Sequence, residues 1–121
     1  MTAPIVWLAC RLPDSARLDL TSARGYGEIR SVFTGAWPSA EPLRALDDVR
    51  AWVRREYRAD LDFIMTTPLC DPLAVGLILL AINEHAPTCD VRWLRWDRRT
   101  DATGTRTRHG YYTPVEFNLG G

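Results

Sequence analysis

Between Leu61 and Pro87 the chain reads LDFIMTTPLCDPLAVGLILLAINEHAP, a short apolar strand, a tight polar turn and an almost wholly apolar helix. A strand that feeds directly into such a helix suits a layered α/β arrangement, in which strands are covered by helices. The turn matters as much as its flanks. Thr66, Thr67, Pro68 and Asp71 place hydroxyls and free backbone N–H groups at a helix N-terminus, where the macrodipole favours negative charge. The segment reads as an anion site on a strand-turn-helix unit.

The flanking sequence extends this pattern. Ile5 to Cys10, IVWLAC, is an unbroken apolar run that suits a strand buried on both faces and reads as the central strand. Arg11 to Gly25 is polar and irregular, and Gly27 to Phe33 offers a weaker strand. A first helix follows, with Ser39 as its cap and Pro42 in its first turn; Leu43, Leu46, Val49, Trp52, Val53 and Tyr57 recur at three- and four-residue steps to form its inward face. Asp62 to Thr66 is the next strand, and Asp71 with Pro72 starts the second helix. Val91 to Trp96 begins a strand that turns at Asp101 to Gly104 and returns as Gly110 to Leu119, with Pro114 placing the last strand at an edge or a bulge. The expected fold is a single α/β domain spanning residues 1–121: a compact Rossmann-like, mostly parallel sheet flanked by helices, with a C-terminal β-hairpin.

Composition narrows the function. The chain has 121 residues and a formal net charge of zero, which argues against binding long nucleic acid and against a polybasic membrane anchor. The longest apolar run, Pro72 to Ile82, is shorter than the roughly 20 residues that span a bilayer, so no membrane is expected. All 15 basic residues are arginine, a bias compatible with bidentate phosphate contacts or with genomic base composition. The 3 cysteines are odd in number, lack C-x-x-C spacing and follow no secretory signal, which suggests reduced thiols and a cytoplasmic location. Cys10 and Cys70 each follow a strand, so they read either as neighbouring redox or nucleophilic groups at one sheet edge or as small buried apolar residues.

In sheets of this kind ligands bind outside the carboxyl ends of the strands. That rule selects the loop after the first strand and the loop before the second helix, and so nominates Arg11, Ser15, Thr66, Thr67 and Asp71 as ligand-binding residues. No dinucleotide fingerprint or Walker loop is present, His85 and His109 have no metal-ligand spacing, and neither a cofactor nor a metal is expected. Arg98, Arg99, Arg106 and Arg108 beside His109 form either a phosphate patch or a charged, aggregation-resistant hairpin. Trp7, Trp37 and Trp52 fit core positions, whereas Trp93 and Trp96 fall on opposite faces of one strand, leaving one of them for a base stack beside Tyr111 and Tyr112 or for a dimer interface. The second helix is apolar on every side, which suggests a homodimer through that helix, with helix one or the N-terminal loop as the other possible cover.

The strand and proline-containing turn, the helix with Leu79, Leu80 and Ala81, the strand with Leu94 and Arg95 and the ending Glu116, Phe117, Asn118 and Leu119 form a recognisable succession. From Ile5 to Leu119 it is similar to the small stand-alone CRISPR-associated Rossmann-fold (CARF-related) proteins, relatives of the domain that senses cyclic oligoadenylate in type III CRISPR defence. Some of those proteins are ring nucleases. The turn before helix two usually reads there as Asn or Ser with prolines; here it is Thr66-Thr67-Pro68-Leu69-Cys70-Asp71. The resemblance implies a homodimer or larger self-assembly that binds a cyclic oligoadenylate, with cyclic tetra-adenylate the leading ring size, and lowers its free level. The means is sequestration, or metal-independent cleavage in which a ribose 2′-OH attacks its own phosphate, with Arg11, Thr66 and Thr67 as donors and the catalytic residues unassigned. Without the resemblance, the chain reads as a dimeric regulatory module that docks a partner protein through helix two.

Overall fold

The computed structural model describes residues 3–10, 20–33, 40–67, 70–97 and 111–120. Along them run β1 (Ile5–Leu8), α1 (Thr21–Arg24), β2 (Glu28–Ser31), α2 (Pro42–Arg55), β3 (Phe63–Met65), α3 (Pro72–His85), β4 (Val91–Asp97) and β5 (Tyr111–Phe117). One five-stranded sheet has the order β2-β1-β3-β4-β5. Its first four strands are parallel and β5 is antiparallel to β4. The mostly parallel α/β sheet with a C-terminal hairpin is therefore present. The central position belongs to β3 and not to β1, which lies one place nearer the β2 edge, although both are buried as interior strands should be.

Alternation of side chains along the strands divides the interior into two cores. Trp7, Ala9, Ile64, Val91 and the half-buried Trp93 face α2 and α3, whereas Val6, Leu8, Phe63, Met65 and Leu94 face Leu20, Ala23 and Tyr112 on the other side. Trp93 and Trp96 lie on opposite faces as the alternation requires: Trp93 packs on the α3 side and Trp96 meets Tyr112 edge-on at 5.0 Å. Trp7 and Trp52 are core residues in T-shaped contact at 5.3 Å; Trp37 lies outside the described residues. The short α1 interrupts a stretch whose sequence reads as irregular.

Helix α2 buries Ala45, Leu46, Val49, Trp52 and Val53. Leu43, placed on the same face by its spacing, is instead 80% exposed. At 3.6 residues per turn it points about 120° away from the centre of that buried face, so the i, i+3 step to Leu46 misleads at the first turn. Glu41 occupies the N-cap position without a side-chain cap, and the expected cap Ser39 lies outside the described residues.

Helix α3 buries Ala74, Ile78, Ala81 and Ile82 and lies beside α2, to which Glu84 is tied by two 2.9 Å bonds from Arg50. Leu73 and Leu80 stay 46% and 45% exposed, and no neighbouring atom lies within 4 Å of where a Cβ on Gly76 would stand. Residues 73, 76 and 80 thus form one smooth apolar stripe facing away from the sheet. No helix among the described residues is long and apolar enough to cross a membrane.

Candidate functional site

The strand order fixes where a site can form. From β1 the chain goes to β2 on one side and then crosses to β3 on the other, so β1 and β3 are parallel neighbours, and the helices that follow them, α1 and α3, pack in different cores. In sheets of this type the crevice at such a reversal is where ligands are received. Leu8 pairs with Met65, and the Ala9 amide donates to the Met65 carbonyl at 3.1 Å, which holds the two strand ends level.

Two residues beyond that pair stand Cys10 and Thr67, in equivalent positions, with Cys10 Sγ 3.8 Å from Thr67 Oγ1. The chain then turns sharply: the Cys70 amide donates to the Thr67 carbonyl at 3.0 Å, folding Cys70 back over Thr67. Its Sγ accepts the Thr67 backbone N–H at 3.3 Å and lies 3.7 Å from Thr67 Oγ1. Both sulfurs thus lie against the same hydroxyl oxygen. Register and turn together bring two cysteines around one buried threonine.

The two sulfurs are not equivalent. Donation from the Cys10 thiol, together with the Thr67 N–H and hydroxyl, lowers the Cys70 thiol to about 6 against the resistance of burial. Cys10 moves up, because it donates its proton to Cys70, is partly desolvated and faces the Cys70 charge. Cys70 is thus the thiolate and Cys10 its proton-bearing partner. The Tyr112 hydroxyl completes this side by donating to the Thr66 carbonyl at 3.2 Å; burial and the nearby cysteines push it up to about 12, so it stays a neutral donor.

The nominated residues divide as follows. Thr66 and Thr67 lie at the crevice, Thr67 buried and Thr66 half-buried. Asp71 is the N-cap of α3 and accepts the Leu73 amide at 2.8 Å. Since Pro72 has no N–H and the Leu73 amide is occupied by Asp71, the helix offers fewer free donors than its sequence suggests. Arg11 and Ser15 lie outside the described residues, as do Pro68, the Asp101 to Gly104 turn, Arg98, Arg99, Arg106, Arg108 and His109. His85 ends α3 and helps to line a separate cleft of about 200 Å³ with Arg50, Arg54 and Glu84. Among the described residues no group of three or more His, Cys, Asp or Glu is placed to hold a metal. The sequence hint that Cys10 and Cys70 share an edge is realised through their common contact with Thr67 Oγ1, whereas the depression of Cys70 depends on Cys10 and also on Thr67 atoms that no spacing rule singles out.

Comparison with known proteins adds no relative: no family model, curated protein or solved structure matches the chain.

Proposed function

We propose that the crevice at the carboxyl ends of β1 and β3 binds a cyclic oligoadenylate, with two copies of the chain enclosing the ring, and thereby lowers the free level of that messenger. The observation carrying this reading is the reversal of strand order between β1 and β3, the place where sheets of this type receive phosphate-bearing ligands. The resemblance of the element succession to CARF-related proteins supplies the ligand class, and cyclic tetra-adenylate is the leading member.

Polar groups on Thr66 and Thr67, the remaining amides at the start of α3 and the side chains of Arg11 and Ser15 are the phosphate partners in this reading. The apolar stripe at Leu73, Gly76 and Leu80 supports pairing through α3. Cleavage would require a ribose 2′-OH held in line with its own phosphate and donors for the developing charge, whereas sequestration needs only affinity. Incubation with labelled cyclic tetra-adenylate separates these: linear products over many turnovers indicate a ring nuclease, and retention of intact ligand indicates sequestration. Absence of binding at micromolar protein rejects both.

A protein-docking reading is favoured by one different feature, an apolar groove of about 350 Å³ formed by Val75, Leu79, Trp93, Val115 and Phe117 with Arg95 at its margin. Gel filtration that shows a dimer, with no response to cyclic oligoadenylate, selects that dimeric docking reading.

A further inference from the structure

Cys10 and Cys70 come from loops 60 positions apart in the sequence, yet their sulfurs share Thr67 Oγ1, at 3.8 Å and 3.7 Å. Neither is sealed in the core; both are partly exposed at the mouth of the crevice. Thiols used merely as small apolar fillers would have no need of a hydroxyl held between them or of a backbone N–H directed at one sulfur, yet Thr67 supplies the first to both and the second to Cys70 alone. We propose that Cys10 and Cys70 are a redox-active dithiol that reduces low-molecular-weight disulfides, with Cys70 as the attacking sulfur and Cys10 as the resolving one.

The steps follow from the contacts. The Cys70 sulfur attacks one sulfur of the small disulfide; a Cys70 mixed disulfide forms, the small S–S bond breaks, and one small thiolate leaves and takes up a proton. The Cys70 negative charge is thereby consumed. That charge and the bond donated to it are what hold the proton on Cys10, so their loss releases Cys10 for attack. Cys10 gives its proton to solvent and attacks the Cys70 sulfur, the intramolecular S–S bond forms, and the second small thiolate departs. Two protein thiols have lost two electrons in total, and one small disulfide has become two thiols. The inference is independent of the nucleotide reading and rests on the cysteine pair alone.

The third cysteine is an internal control, since Cys89 is exposed and lies away from this cluster. The 121-residue chain is equilibrated at pH 7 without oxygen in mixtures of glutathione and glutathione disulfide, quenched with acid, alkylated and mapped by mass spectrometry. The expected product is a Cys10–Cys70 disulfide. Cys10→Ser should accumulate glutathione on Cys70 with no intramolecular disulfide, whereas Cys70→Ser should lose the fast-reacting sulfur and carry glutathione on Cys10 only at the slower rate of an ordinary thiol. In the folded wild type, brief iodoacetamide treatment should label Cys70 about tenfold faster than Cys89 despite the greater exposure of Cys89. This readout stands even where a variant fails to fold. Persistence of both Cys10 and Cys70 as thiols in excess glutathione disulfide, glutathione lodged on Cys10 in preference to Cys70, or equal labelling of Cys70 and Cys89 overturns the proposal.

Discussion

The indole of Trp7 donates its Nε1–H to Asp62 Oδ2 at 2.9 Å across a separation of 55 residues, inside a core where Asp62 is fully buried. The same carboxylate accepts the amides of Ile5 and Arg58, each at 3.0 Å, and the Arg58 guanidinium at 2.7 Å. A buried charge of this kind persists only because its lone pairs are filled. It fastens the start of β1 to the start of β3 on the side opposite the crevice.

Asp62→Ala should therefore destabilise the fold by about 3 to 5 kcal/mol, since it orphans the Trp7 and Ile5 donors together with the Arg58 charge. Asp62→Asn should lose less, because its carbonyl oxygen still accepts while its amide meets donors. Urea unfolding monitored by tryptophan fluorescence measures both. A loss below about 1 kcal/mol for the alanine variant would contradict this role.

Stability should depend on pH through the cysteine pair, with opposite signs on either side of pH 9. Cys70 titrates at about 6 in the fold against a reference of 9.0, so from about pH 6 to 9 the unfolded chain holds the extra proton and stability rises with pH. Cys10 is raised, so above 9.0 the folded chain holds the extra proton and stability falls again. Denaturant midpoints across this range should pass through a maximum near pH 9 that the Cys10→Ser, Cys70→Ser double variant flattens. A profile unchanged by the double variant contradicts the assignment.

The Cys70 negative charge also bears on the proposed ligand, because it occupies part of the field at the start of α3. Cys70→Ser should bind cyclic tetra-adenylate about fivefold more tightly at pH 7, the effect of removing roughly 1 kcal/mol of like-charge repulsion. Isothermal titration calorimetry at pH 5 and pH 8 reads the difference, which should vanish at the lower pH. Equal affinities at both values place the ligand away from the thiols.

Leu80→Asp introduces charge at the C-terminal end of the outward stripe on α3 without touching the buried Ala74, Ile78 and Ala81. It should leave the thermal midpoint within a few degrees of the parent at equal monomer fraction and shift sedimentation toward the monomer. An unchanged sedimentation profile moves self-association away from this stripe.

Gly27→Ala tests a packing constraint at the start of β2. A Cβ there would overlap the Pro4 carbonyl, a backbone group that cannot rotate aside. A loss of about 1 to 3 kcal/mol is expected, as for other overpacked positions, and a neutral result in denaturant unfolding would mean that residues 3–5 shift without cost.

Legibility from sequence varied with the range of the interactions concerned. The doubly apolar β1, the cap and proline at the start of α3 and the edge strand with Pro114 are written in local patterns, and the structure has them. Leu43 misleads because two helical steps that agree locally need not lie on the same side of a finite buried face. Asp62 reads only as a polar start to β3; the Arg58 partner four residues earlier was the available signal, but Ile5 and Trp7 meet it through tertiary folding. At the crevice, sequence supplies the loops and the two cysteines, while the unequal fate of their protons arises from the turn that carries Cys70 back to Thr67.

The pairing of Val6 with Phe63 and of Leu8 with Met65 is nonlocal, and so is the meeting of Cys10 with Thr67, 57 residues away. Closing so long a loop is entropically slow, so α2 and α3 can form early while the crevice is among the last features to appear during folding. The unusual acidity of Cys70 is consequently absent from a nascent or partly collapsed chain. Its reactivity serves as a built-in clock for the final long-range closure, readable by pulsed alkylation during refolding.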